Sequence, residues 1–190
     1  KKNKIMKILI LVDCQNDFID GALRNEEAIK KVDRIVNKLH NDKYDRLILT
    51  FDTHFENTYD KTLEGTKLPI RHCIVETDGW FLNSKIHDAI YKCKAYPEQV
   101  MKETFGSLKL LEVVENMVKY HIFSPEETVE IELWGFCTDI CVISNALLLR
   151  AKFPNYKITV DASCCAGSTI ERHNAALEVM DSCQIDIKNS

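Results

Sequence analysis

The stretch Lys7–Asp13, KILILVD, decides the fold of this chain. Ile8 to Val12 are apolar without interruption, and an acid ends the run. A strand with one wet face alternates apolar and polar residues, so an unbroken run predicts a strand covered on both sides. Arg46–Phe51 (RLILTF), Val129–Trp134 (VEIELW) and Lys157–Asp161 (KITVD) read the same way, and Ala89–Lys94 and Cys183–Ile187 are weaker strand candidates. Helical spacing fills the gaps. Behind a cap at Asn25, residues Ala28, Ile29, Val32, Ile35, Val36 and Leu39 share one face, with Glu26 and Glu27 in the first turn. Ser107 is placed to cap a helix carrying Leu110, Leu111, Val114, Met117 and Val118, and Ser168-Thr169-Ile170-Glu171 reads as a capping box. Strands alternating with helices predict a doubly wound α/β/α sandwich with a mainly parallel sheet, formed by a single domain over residues 1–190. Such sheets bind ligands outside the carboxyl ends of their strands, which gives a placement test for every candidate residue.

Composition narrows the function classes. A formal net charge of −4 argues against a nucleic-acid partner, which needs a basic surface. No apolar run approaches the roughly 20 residues of a membrane span. The opening Lys1–Val12 is too short for a secretion signal, and Met6 is read as a potential original start. Eight cysteines without a C-x-x-C pair read as reduced thiols in a cytoplasmic protein rather than a disulfide framework.

Several residues pass the placement test. Asp13 follows the first strand, Asp52 and His54 follow the second in TFDTHFE, and Cys141 follows another in LWGFCTDICV. Capping by Thr138 or Asp139 would put Cys141 in a helix's first turn, where backbone N–H groups favour a thiolate and can receive an oxyanion. Lys102, in MKETFGS, has only its context to distinguish it from a solvated lysine. Asp52, His54, Glu64 and His72 are four potential metal ligands whose oxygen and imidazole donors suit zinc, iron(II) or manganese. Cys73 adjoins His72, but neighbouring positions point different ways, and the histidine is the preferred ligand.

Taken together, these pieces resemble the isochorismatase-like cysteine hydrolases, and among them the nicotinamidases. The D-x-Q-x-D-F pattern matches Asp13 to Phe18, K-x-T-F-G-S matches Lys102 to Ser107, and G-x-x-T-D-x-C-V matches Gly135 to Val142. The resemblance covers nearly the whole chain. It implies a catalytic triad of Asp13, Lys102 and Cys141, a cis bond between Phe136 and Cys137, and an oxyanion site built from the backbone N–H groups of Cys137 and Cys141. LEGTKLPIRHC resembles the loop of metal-bearing members, so Asp52, His54, Glu64 and His72 are implied to bind one divalent metal ion, zinc foremost. The implied reaction is nicotinamide plus water giving nicotinate and ammonia through a Cys141 thioester. In it the metal orients the pyridine ring and Phe18 forms a wall beside it. The rivals are another small-amide hydrolase or an isochorismatase of the same family and, from a different class, a mononuclear iron oxygenase, which leaves Cys141 and Lys102 without roles. An inactive relative serving as an interaction module is held down by the complete triad. The partner is thus expected to be a small-molecule amide. The apolar Ile140–Phe153 segment suits a deep core or the contact of a homo-oligomer equally.

Overall fold

The apolar run at the N-terminus becomes β1 (Ile5–Val12), and its side chains divide between two cores. Ile8, Ile10 and Val12 point into one apolar cluster, while Leu9 and Leu11 point into the other. Each buried aliphatic side chain contributes about 1.5–3 kcal/mol. A one-residue slip would exchange every side chain between faces, so the register is held firmly.

The computed structural model describes residues 5–93, 96–121 and 128–190. Its strands are β1, β2 (Arg46–Asp52), β3 (Glu98–Lys102), β4 (Thr128–Phe136), β5 (Lys157–Ala166) and β6 (Asp186–Lys188). They form one sheet in the order β3-β2-β1-β4-β5-β6, and every pairing is parallel. The helices are α1 (Glu26–Asn41), α2 (Leu63–Lys67), α3 (Ser84–Lys92), α4 (Leu108–His121), α5 (Ile143–Lys152) and α6 (Ile170–Ser182). Helices α1 and α3 cover one face, and α4, α5 and α6 cover the other. This is the expected doubly wound sandwich.

Local expectations fared unevenly. Asn25 caps α1, its side chain accepting the N–H groups of Glu27 and Ala28 at 3.0 and 3.1 Å. Ser107 Oγ accepts the Leu110 N–H at 3.1 Å, as its position suggested. The capping box is displaced by one residue: Thr169, not Ser168, caps α6 by accepting from the Arg172 N–H. Ala89–Lys92 is helix rather than strand, because Ile86, Ala89 and Ile90 bury one face of α3 at helical spacing; Lys94 lies outside the described residues. In Cys183–Ile187 only the end is strand, since Cys183 closes α6. Strand β3 has no apolar run to announce it. It lies at the sheet edge, and only Val100 and Lys102 are buried.

From β1 the chain steps outward through β2 to β3, then returns across the sheet to β4 and steps the other way. The reversal falls between β1 and β4, where parallel sheets open a crevice at their carboxyl ends. There Gly135 has a φ of +136°, and a Cβ on it would lie 2.0 Å from the Val12 carbonyl oxygen. Glycine alone permits so close an approach of β4 to the end of β1.

Candidate active site

Asp13 leaves β1 in a left-handed conformation, φ 48°, which Asp tolerates better than most residues. Its N–H reaches both the carbonyl and the side-chain oxygen of Thr50 on β2 at 3.2 Å, and the Thr50 hydroxyl donates to Asp13 Oδ1 at 2.6 Å. Lys102 ends β3 opposite Asp52 in the β2–β3 register. Its ammonium lies 2.6 Å from Asp13 Oδ2, 3.6 Å from Asp52 Oδ1 and 3.5 Å from Cys141 Sγ, the last a donated hydrogen bond. Asp13, Lys102 and Cys141 are all buried.

Cys141 sits in a π-helical turn, Thr138–Val142, directly after β4, and the Phe136–Cys137 bond is cis. Neither Thr138 nor Asp139 caps this turn; Cys137 occupies the cap position without a side-chain bond. Thr138 pairs with His173 Nδ1 at 2.7 Å instead, and Asp139 accepts the N–H and hydroxyl of Ser168 at 2.7 and 2.6 Å. Both side chains are thus committed to the α6 side of the crevice.

Beside the triad lies the ligand cluster. Asp52 Oδ2 is 3.0 Å from His54 Nε2 and 3.4 Å from His72 Nε2, and Glu64 Oε1 lies 3.7 and 3.4 Å from the same nitrogens. The donor atoms of these four residues all lie within 4.8 Å of one another. Cys73 is absent from this group. Phe18 is buried against His72 in an edge contact, ring centroids 5.7 Å apart, and lines the same cleft as Cys137 and Cys141.

An isochorismatase-domain family model matches residues 7–188. The chain belongs to the isochorismatase family. A Bacillus subtilis (strain 168) relative described as an uncharacterized isochorismatase family protein, PncA, is 28% identical over 182 residues, spanning 90% of this chain and 92% of its own. The crystal structure of a pyrazinamidase/nicotinamidase from Streptococcus mutans UA159 is similar at a TM-score of 0.77 and 25% identity, covering 95% of this chain and 99% of that one. A pyrazinamidase of Pyrococcus horikoshii in complex with zinc shares the fold at a TM-score of 0.69 and 22% identity, covering 95% and 97%. As a member of this family the chain is a hydrolase.

The isochorismatase-family site combines charges that oppose one another. Burial pushes the Cys141 thiol well above its ordinary range, and the Asp13 charge adds to this against Lys102. Burial and the Asp13 charge thus favour the neutral thiol, against the thiolate that a helix N-terminus alone would favour. Burial, with the Asp52 charge, also raises the Asp13 carboxyl above 3.8 despite Lys102 and Thr50. Burial works against the charge on Lys102, but Asp13, Cys141 and Asp52 outweigh it and hold the ammonium protonated. In the ligand cluster burial would strip the proton from His72, yet Asp52 and Glu64 lift its pKa to about 10. The cluster thus favours a positive charge at its centre.

Four residues position this family site without having been assigned a role from the sequence, Gln15 and Asp17 having entered only as motif positions. Gln15 is fully buried and clamps Asp52, accepting its N–H at 2.8 Å and donating to its carbonyl at 2.8 Å and that of Trp80 at 2.9 Å. Asp17 accepts the Cys73 N–H at 2.7 Å, tying down the segment that carries His72. Tyr59, fully buried, donates to the Leu68 carbonyl at 2.7 Å beneath His72. Asn145 accepts the Ser107 N–H at 2.9 Å and donates to the Cys141 carbonyl at 2.8 Å, joining the nucleophile turn to the loop after Lys102. Gln15 and Asp17 were legible as motif positions, and Asn145 only as a polar residue within an apolar stretch.

Proposed function

We propose that the chain works as one cysteine-hydrolase domain that converts nicotinamide and water to nicotinate and ammonia. The observation that carries this reading is the contact of Asp13 and Lys102 with one another and of Lys102 with Cys141, which lines a single cleft together with the four-residue ligand cluster. The similarity to the Streptococcus mutans pyrazinamidase/nicotinamidase and to the Pyrococcus horikoshii pyrazinamidase in complex with zinc supports it.

In this scheme Asp13 takes the Cys141 thiol proton as the sulfur attacks the carboxamide carbon, forming a C–S bond. Lys102 stabilises the sulfur anion as it develops and holds Asp13 in place. The backbone N–H groups of Cys137 and Cys141 receive the oxyanion, worth about 3–4 kcal/mol per donor in comparable sites. Asp13 returns the proton to the nitrogen as the C–N bond breaks and ammonia leaves a thioester. It then deprotonates water, which displaces Cys141 and releases the acid.

The ligand cluster fits a divalent cation. It has two carboxylates and two imidazoles, and Asp52 Oδ1 is buried and accepts no hydrogen bond among the described residues. The His72 Nδ1 atom sits 2.8 Å from the Ile70 carbonyl, which directs Nε2 inward. Bound by Asp52, His54, Glu64 and His72, such an ion, zinc foremost, would supply a Lewis acid for the pyridine nitrogen. Phe18 bounds the ring on that side.

The test is ammonia release from nicotinamide, with metal content measured on the same sample. Release together with about one metal ion per chain is expected. Cys141→Ala should abolish turnover, by at least about 10⁴-fold, without lowering the melting temperature. Substantial residual activity would sink the scheme. Release from other small amides alone would move the reading to another amidase of the family.

A further inference from the structure

The cleft above Cys141 has a volume of about 1180 Å³. Ligand pockets that enclose a drug-sized molecule run to roughly 300–1,000 Å³, so a single small ring with its carboxamide leaves much of this cleft unfilled. Its floor is polar and buried, with Asp52, His54, His72 and Cys141. Its rim carries charged side chains, Arg24, Lys67, Glu103 and Arg172 among them, and between these five exposed apolar ones. Phe55 follows β2, Leu63 opens α2, Ile70 precedes His72, Phe105 follows β3 and Ile170 opens α6. Leu63 is 73% exposed and Ile170 58%. Apolar side chains scattered singly on a surface need no explanation, whereas five from separate segments around one opening mark a binding surface.

We propose that this rim is a second subsite of the same cleft, for an apolar group carried by the substrate. The substrate class is then aromatic primary amides bearing a hydrocarbon substituent on the ring. This rests on the amidase reading above. The chemistry is unchanged: water adds, the carboxamide C–N bond breaks and ammonia leaves. With the carboxamide at Cys141 and the ring against the His54–His72 side, the remaining edge of the ring faces the opening. A hydrocarbon chain there meets the rim, and binding removes apolar surface of both from water. Part of the specificity of the enzyme would therefore be set outside the reacting centre.

The experiment compares kcat/KM for nicotinamide with that for nicotinamides carrying methyl, propyl and butyl groups on the ring carbon remote from both the nitrogen and the carboxamide. A rise of about 3-fold per methylene, mainly through KM, is expected. In Leu63→Ser/Ile170→Ser the ratio of butyl to unsubstituted substrate should fall toward one. A flat or falling series in the wild-type protein overturns the proposal, and so does a gain that persists in the double variant.

Calorimetric binding of the same series to Cys141→Ala separates the two readings. If nicotinamide is not hydrolysed, the amidase reading fails. Affinity that still grows with chain length then supports the rim subsite, and affinity that does not overturns it. A double variant that turns an oligomer into a monomer, beside a flat series, would assign the rim to a contact between copies and overturn the subsite.

Discussion

Two buried aspartates in this protein are each held by a lysine, and burial treats them differently. Asp161 on β5 lies 3.1 Å from Lys38 and 3.9 Å from Lys188 and accepts the N–H and hydroxyl of Ser163 and the Asn189 amide. Burial would raise its pKa, but these bonds outweigh burial and keep it below the usual range. Asp13 has the tighter lysine contact, 2.6 Å, yet its pKa is raised. It lies deeper, has fewer donors and faces the Asp52 charge. Depth of burial together with hydrogen-bond supply, rather than the presence of a cation, separates a fixed structural charge from a carboxyl able to exchange protons.

Replacing each lysine with methionine gives the sharpest contrast. Lys102→Met is expected to lower kcat/KM by at least about 10³-fold, because Asp13 and the developing sulfur anion both lose their cation. Lys38→Met should leave kcat/KM near wild type and cost about 1–3 kcal/mol in urea unfolding, less than a fully buried pair because Lys38 still reaches solvent. Equal activity losses in the two variants would erase the distinction.

The Gln15 clamp offers the next largest effect. Gln15→Met removes all three bonds at Asp52 and Trp80 and should weaken zinc binding by about 10- to 100-fold in chelator competition. A lower melting temperature with unchanged zinc affinity of the folded protein would reduce Gln15 to a structural residue.

The smallest effects concern pH. Protonated Asp13 cannot accept the thiol proton, so activity is present above its folded-state pKa and lost as pH falls through it. Because that pKa is raised, the acid limb of kcat/KM should lie above 3.8. The Thr50 bond acts in the lowering direction, so Thr50→Val should move the limb further up and cost activity a few-fold on its acid side. A limb at or below 3.8, or one that Thr50→Val moves down, would contradict this account of Asp13.

The sequence by itself determined the parts that depend on local pattern. An unbroken apolar run announces β1, and runs rich in Ile, Leu and Val announce β2, β4 and β5, because strands covered on both faces bury most of their side chains. Since ligands gather at carboxyl ends, Asp13, Asp52, His54 and Cys141 stood out before any coordinates. Only the tertiary structure decided the rest. Strand β3 is an edge strand with a single buried aliphatic side chain, so nothing in EQVMK signals that Lys102 closes the sheet opposite Asp52. The Gln15 clamp joins residues 37 and 65 positions apart, and the Asn145 bond to Ser107 spans 38. Periodicity reports which face of an element is buried. It does not report which distant carbonyl a buried amide will meet, because that depends on how strands far apart in the chain come to lie side by side.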